Sequence, residues 1–304
     1  MNEAKDGDIG ISVRKTMCMH EMPQHVIRFY GNTDYALECI ALKQITFVHV
    51  EKLNDPFDPV LDYATDFNGN YAALLSHVYK HHSSQLAFFK ERLPEQNWKK
   101  IVAGLSNFAT DIRAKLFVFS TCAVREESHP RDSLYMWGHY GNGHRGVAIE
   151  FNTTALAESV TKQDDLNSEP PWWKMEYAKD ISRINCEEII EFVLNAQPIA
   201  DTLEVYGPKL HSKIRLKLRS KGEIWKNEDE WRLVWENDET KLKILRHDIP
   251  SSAITAVYLG CRAAEQEQLR NAFVYETQRH FPKANVFRAN MRSGEYALDF
   301  EKIA

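Results

Sequence analysis

Cysteine is scarce in this chain and badly placed for chemistry. The five cysteines, Cys18, Cys39, Cys122, Cys186 and Cys261, are dispersed, and no C-x-x-C pair occurs. An odd, scattered set in a chain of 304 residues excludes a disulfide framework. Long apolar runs are missing too, since no stretch approaches the ~18 residues that a membrane-spanning helix needs. The first ten residues, MNEAKDGDIG, are acidic and polar and lack the basic start and apolar run of a signal peptide. A reducing compartment, the cytoplasm, with no membrane partner is therefore the expectation.

An excess of basic charge is also absent. Lys and Arg number 38 against 43 Asp and Glu, a formal charge of −5, which gives no electrostatic reason for general nucleic-acid binding. The densest basic run (Lys209, Lys213, Arg215, Lys217, Arg219, Lys221) reads as a solvated helix face rather than a phosphate site. No G-x-x-x-x-G-K-[ST], G-x-G-x-x-G or G-x-S-x-G occurs, so Walker-type NTPases, Rossmann dehydrogenases and α/β-hydrolases are unsupported. His81-His82 diverge on a helix, and His139 with His144 lacks a zinc spacing, so no metal centre is expected from either pair.

What the chain does have is a core. It is 43% hydrophobic and 11% aromatic, enough to exclude disorder over most of its length. Residues 1–24 read as a flexible leader ended by Pro23, and residues 25–304 as one domain. His25–Tyr30 (HVIRFY) alternates like a half-buried strand, and Gly31–Asp34 supplies turn and N-cap chemistry for a helix over 35–42. Further strands are expected at 45–50, 115–122, 146–151, 231–235, 254–259, 286–289 and 296–300. Residues 70–116 read as a helical insertion broken near Pro94, 154–222 as mostly helical with a break at Pro170-Pro171, and 265–280 as a helix. Interspersed elements without βαβ repeats give the fold class α+β: a single domain with a bent or split mixed sheet and packed helices.

Several stretches carry a resemblance. They are Phe29-Tyr30, Leu53–Asp58 (LNDPFD), Phe119-Ser120, Met136–Phe151 (MWGHYGNGHRGVAIEF), Trp225–Val234 (WKNEDEWRLV) and Val257–Gly260. Together they resemble, from about residue 26 to 300, the bacterial family DUF2971, a domain of unknown function. A fold-level analogy with ADP-ribosyltransferases joins it. Those enzymes resemble this chain in an early strand bearing Arg or His, here Arg28, and in a glutamate at the head of a late strand, here Glu230, with Glu228 completing an E-x-E pair. The analogy implies an enzyme that consumes NAD as co-substrate, of toxin or phage-defence type, with no required cofactor and a protein, a nucleic acid or water as acceptor.

In that reading Glu230 stabilises a ribosyl cation, Arg28 anchors the dinucleotide, and Glu228 crowds Glu230 so that at least one of the two pKa values rises. The block around Gly141 and Gly143 supplies Tyr140 to stack on a ring and His139 as proton carrier, with Arg145 and Tyr30 as further ligand contacts. The glycine N–H groups there could converge on an anion. The same block also reads as a tight hairpin with Trp137 and Tyr140 filling the core. Likewise, Arg28 and Glu230 also read as a structural ion pair, with each other or with Arg232. In the loop Asn54–Asp58, Asp55 and Asp58 are candidate metal ligands. The preferred reading there is a turn closed by Asn54 and Asp55 with Phe57 plugging the core, and Asn54 or Asp55 as the polar contact if the loop lines the cleft. Trp231 and Trp235 with Leu233 read as core; Trp172 and Trp173 read as core or, alternatively, as an exposed stacking platform or part of a lid, with core preferred. The alternatives to the transferase are a non-catalytic protein binding a small ligand or partner in the same cleft, and a metal-dependent nuclease using Asp55, Asp58, Glu228 and Glu230.

Overall fold

The computed structural model describes residues 22–60, 70–161, 172–183, 214–237 and 242–304, with residues 185, 187, 188, 190, 194 and 212 between them. Residues 1–21 of the expected leader, the Pro170-Pro171 break, Lys209 and Lys213 lie outside these. No described helix is long and apolar enough to cross a membrane.

The chain opens with β1 (His25–Tyr30), α1 (Thr33–Ala41) and β2 (Gln44–His49). Asn32 caps α1 by accepting the Asp34 N–H at 2.8 Å. Three helices follow, α2 (Tyr71–His81), α3 (Leu86–Arg92) and α4 (Glu95–Lys115), with Pro94 at the start of α4. Then come β3 (Leu116–Ala123), α5 (Leu134–His139), β4 (Val147–Asn152) and α6 (Thr153–Val160). Across 154–222, expected to be mostly helical, the described residues are helical in α6 and at 187, 188, 190, 194, 212 and 214–217, and three short strands stand among them, β5 (Trp172–Lys174), β6 (Glu176–Ala178) and β7 (Ser220–Gly222). Three residues are too few for a period to register. The chain closes with β8 (Glu230–Glu236), β9 (Ile244–Asp248), β10 (Ile254–Leu259), α7 (Cys261–Ala264), α8 (Glu267–His280), β11 (Asn285–Met291) and β12 (Leu298–Lys302).

Ten strands form one mixed sheet, ordered β12-β11-β10-β4-β1-β3-β2-β9, with β8 on β3 and β5 on β8. Only β10 and β11 run parallel in it, joined through α7 and α8; β6 and β7 make a separate parallel pair. This is a single α+β domain. The sheet splits on β3. One edge of β3 carries β8 along its whole length, from Leu116↔Glu236 to Cys122↔Glu230. The other edge is shared: β2 pairs at Phe117 and Val118, β1 at Cys122 and Ala123. Between them a wedge opens.

Alternation sorts the side chains of β3 and β8 between two faces. Phe117, Phe119, Trp231 and Leu233 join the main core with Val26, Ile149, Phe151, Trp172 and Phe273. The opposite face holds two separate apolar clusters. One contains Leu116 and Val118 with the insertion helices (Leu74, Phe89, Trp98) and Trp173; the other contains Ile27, Phe29, Cys122, Met136 and Trp137. What separates them is charge. Glu230 and Arg232 of β8 project there, buried, where an apolar strand would have continued the core.

A second buried acid lies under the other end of the sheet. Glu150 accepts hydrogen bonds from Tyr258 Oη (2.8 Å), Thr255 Oγ1 (3.0 Å) and His129 Nε2 (3.1 Å), with His25 Nδ1 at 3.3 Å. His129 Nδ1 accepts the Arg131 N–H at 3.1 Å, so Nε2 carries the proton that meets Glu150. Despite its desolvation, this network holds the Glu150 pKa below the usual carboxylate value.

Two glycines test the packing around α5 in opposite directions. A Cβ on Gly146 would sit 2.2 Å from the Tyr30 carbonyl oxygen, whereas one on the exposed Gly138 of α5 would meet nothing within 4 Å. Gly146→Ala should lower the urea midpoint, costing at least about 2 kcal/mol because backbone must move. Gly138→Ala should raise it by about 0.5–1 kcal/mol through helix propensity alone. Equal effects in chemical denaturation would refute this account of the turn.

Candidate functional site

A cleft of about 300 Å3 opens at the wedge, lined by Arg28, Lys52, Asn54, Ser120, Tyr140 and the charged cluster among others. Each wall has a local cause. The short 3-10 turn after β2 (Val50–Lys52) delivers Lys52 and Asn54, and α5, N-capped by Ser133 Oγ on the Met136 N–H, delivers Tyr140 just beyond its end. A second 3-10 turn (Glu223–Glu228) ends at Asp229 in the left-handed region (φ 41°) and so turns the chain from Glu228 into β8.

The floor is a closed lattice of three acids and two bases. Arg232 donates from Nε to Glu230 Oε1 (2.7 Å), from Nη2 to Glu230 Oε2 (3.0 Å), and from Nη1 to Asp58 Oδ1 (2.8 Å), with a further bond from Nη2 to Asp58 Oδ2. Lys221 Nζ donates to Glu230 Oε2 (2.8 Å) and to Glu228 Oε2 (2.6 Å). Glu228 Oε1 accepts the Tyr140 hydroxyl at 2.6 Å, and the Tyr140 phenol is also hydrogen-bonded by Asn54. All five charged side chains are at most 6% exposed. Tyr177 on β6 accepts the Glu230 N–H at 2.8 Å.

The titration behaviour follows from burial against pairing. Burial alone would raise the Glu230 pKa, but the Arg232 and Lys221 charges more than offset it and hold the acid at about 2. For Glu228 the balance tips the other way: desolvation, with Glu230 as a like charge, outweighs its single cation and raises the pKa. Tyr140 is raised by burial and by the Glu228 carboxylate, so it donates rather than ionises. Around Lys221 the two carboxylates overcome desolvation, and the ammonium is held above its usual value.

The structure therefore brings together Glu230, Glu228, Arg28, Asn54 and Tyr140, five of the eight residues singled out from the sequence, on one cleft. Arg28 and Glu230 do not pair; Arg28 Nη1 binds the Ser120 carbonyl at 3.0 Å, and Glu230 takes Arg232, the pairing that the structural reading of the E-x-E motif anticipated. Three expectations fail in position. His139 is exposed at the end of α5 beside Tyr135, Arg145 is exposed on the following turn, and Tyr30 packs toward the main core near Cys39; none of them lines the cleft. The turn does not present its two glycine N–H groups together to an anion, because that of Gly141 bonds to the Met136 carbonyl at 3.1 Å; those of Arg145 and Gly146 bond to the carbonyls of Asn142 and Gly141. Nor is it a hairpin, because α5 leads into it; Trp137 does fill the core, edge-on to Phe29 at 5.0 Å.

Other corrections concern burial. Phe57 is 66% exposed rather than a core plug, because Asp58, not Phe57, is the loop residue that turns inward. Lys221, placed by its spacing on a solvated helix face, lies on β7 as the internal cation; a charge run reports composition and not direction. Asp55 accepts the Phe57 N–H and the Trp225 Nε1–H, and Asp58 is held by Arg232, so neither is presented as a ligand. Among the described residues no group of three or more His, Cys, Asp or Glu side chains could hold a metal ion. Sequence reasoning missed Lys221 and assigned Asp58 no partner, where the structure pairs it with Arg232. The i, i+2 spacing of Glu230 and Arg232 on one strand face was the signal available for the lattice.

Removing one member of a buried lattice leaves the rest uncompensated, at a typical cost of about 3–5 kcal/mol. Arg232→Met should therefore destabilise far more than loss of an exposed, solvent-screened pair such as Arg292–Asp299. Glu230 adds a pH signature. Its folded pKa lies below its ordinary value of 4.5, so its contribution is complete above that value and lost as pH falls toward about 2. In urea titrations between these limits, Glu230→Gln should flatten the acid loss of stability; an unchanged slope would contradict the pairing.

No curated protein and no solved structure matches the chain. Residues 136–233, which carry Tyr140, Lys221, Glu228, Glu230 and Arg232, match the model of a family described as Protein of unknown function (DUF2971).

Proposed function

We propose that the cleft binds a small organic molecule bearing both an anionic group and a cationic or electron-poor ring, and that NAD is the ligand class to test first. The observation that carries this reading is the division of charge around the cleft. With Asp58, Glu228 and Glu230 ionised against Lys221 and Arg232, the lattice keeps one net negative charge. Arg28 and Lys52 stand elsewhere on the lining with no carboxylate partner among the described residues. A pyrophosphate suits the cations, and a pyridinium ring suits the acid wall.

The finer reading is an NAD-consuming transferase or glycohydrolase of the ADP-ribosyltransferase type, with protein, nucleic acid or water as acceptor. What favours it is the Tyr140–Glu228 pair at the cleft wall, a carboxylate with raised pKa beside a phenol. In this reading Glu228 rather than Glu230 faces the ribosyl cation that forms as nicotinamide leaves. Glu230 is a positioning residue, because cations hold both of its oxygens, whereas Glu228 gives one oxygen to Lys221 and the other to the neutral Tyr140 phenol. That commitment is also what supports the non-catalytic alternative, a binding protein using the same cleft. A nuclease reading loses Asp58, Glu228 and Glu230 to the same two cations, and Asp55 to the Trp225 Nε1–H.

Purified protein should show a rise in melting temperature with NAD. If the finer reading holds, it should also release free nicotinamide, with Glu228→Gln reducing release by about 100-fold or more while binding persists. Binding without release would leave the ligand-binding protein. Neither binding nor release would reject NAD for this cleft.

A further inference from the structure

The wedge leaves main-chain groups without a strand to pair with. In β3, the odd-numbered residues turn their N–H and C=O groups toward β8, as the bond from the Ala123 N–H to the Asp229 carbonyl (3.0 Å) fixes. Val118, Ser120 and Cys122 therefore turn theirs to the opposite edge, where Val118 meets Val48 of β2 and Cys122 meets Ile27 of β1. Ser120 lies between, and although the β1 register would set it opposite Phe29, the pairing ends at Ile27 and Ser120 is paired with neither strand. Its carbonyl accepts from Arg28 Nη1 (3.0 Å), which leaves its N–H directed into the wedge. In β1 the bond from the Val124 N–H to the His25 carbonyl (3.0 Å) shows that the odd residues face β3. Phe29, two residues past the last pair at Ile27, thus also directs its N–H into the wedge. Both Phe29 and Ser120 line the cleft.

Unpaired main-chain donors in an enclosed place are costly unless water or a ligand takes them. Two cations accompany these donors. Arg28 lies over the rings of Phe119 (4.6 Å) and Tyr30 (5.4 Å), with Nη1 its one hydrogen-bonding atom among the described residues, and Lys52 has no ion-pair partner among them. A structural role for Arg28, capping the Ser120 carbonyl, accounts for that bond. It leaves the two N–H groups and the unbalanced charge unexplained, in a chain with more acids than bases.

We infer that the wedge is an anion subsite, in which a phosphate-type group accepts hydrogen bonds from the Ser120 and Phe29 N–H groups and is neutralised by Arg28 and Lys52. The inference rests on the cleft being a ligand site, as proposed above, and not on NAD being the ligand. It assigns the ligand's class: a phosphorylated or pyrophosphorylated small molecule, entering between β1 and β2.

The test is a titration of the 15N-labelled full chain with inorganic pyrophosphate at constant ionic strength, with chloride as the control anion. The Ser120 and Phe29 amide resonances should move together and saturate, and Lys52→Ala, a surface substitution, should weaken binding about five-fold, as loss of one partly screened charge allows. Arg28→Lys keeps the charge but loses the planar fork, and should weaken binding too. Saturable binding that leaves both amides unmoved, or that is unaffected by Lys52→Ala, would overturn the assignment, as would no binding at millimolar pyrophosphate. Pyrophosphate binding without NAD binding would retain the subsite and reject NAD. NAD binding with both amides unmoved would reject the subsite and retain the cleft.

Discussion

The side chain on which the site most depends is Arg232. Its guanidinium reaches back along β8 to Glu230 and across to Asp58 on the loop after β2, so one buried group joins the floor of the cleft to its wall. A guanidinium suits this task because its planar fork can satisfy two carboxylates at once, where an ammonium would act as a point charge. Lys221 extends the lattice to Glu228, and Glu228 extends it to Tyr140. Such networks are seldom the most stable way to fill space, since well-packed apolar residues often do as well or better. This one also interrupts the apolar face of the sheet between the insertion cluster and the cluster around Trp137.

Glu150 supplies the internal comparison. It is about as buried as the lattice acids, at 6% exposure, yet it is satisfied by hydroxyl and imidazole donors, with no Lys or Arg bound to it among the described residues. The chain therefore contains a route for burying a carboxylate without importing full positive charges. At the cleft it uses a different route, in which acids outnumber bases and the field is kept at a surface that a ligand can reach. Burial alone explains the first arrangement and not the second.

Much of this was legible in the sequence, for reasons that differ by element. HVIRFY and WRLVW alternate because one face of each meets the core, so β1 and β8 declare themselves. The helical insertion, its break at Pro94 and the split α+β sheet follow from the same patterning. Strands β5 to β7 did not show, because three-residue strands carry no period and take their structure from what they pair with. For the site, residue types were legible but directions were not. Glu228, Glu230, Arg28, Asn54 and Tyr140 converge as their chemistry suggested. His139 and Arg145 share Tyr140's stretch of chain, yet the end of α5 sends them to solvent. Lys221 was concealed by its basic neighbours, since nothing local distinguishes a lysine that turns inward from those beside it.

The split in the sheet and the lattice are two aspects of one constraint. Because β2 leaves β3 after Val118 and β1 joins only at Cys122, the middle of β3 has a strand on one edge alone. The side chains opposite that middle are Arg232 and Glu230, paired with Ser120 and Cys122. An apolar pair there would border an opening and meet water; a charged pair can border it, provided each charge is bound. Asp58 and Lys221 provide that binding from outside the strand, which ties the loop after β2 and strand β7 to the same place. The opening thus requires charge beneath it, and the charge requires the loop and β7 around it. A cleft in this fold is a consequence of how β3 is shared, before any ligand is considered.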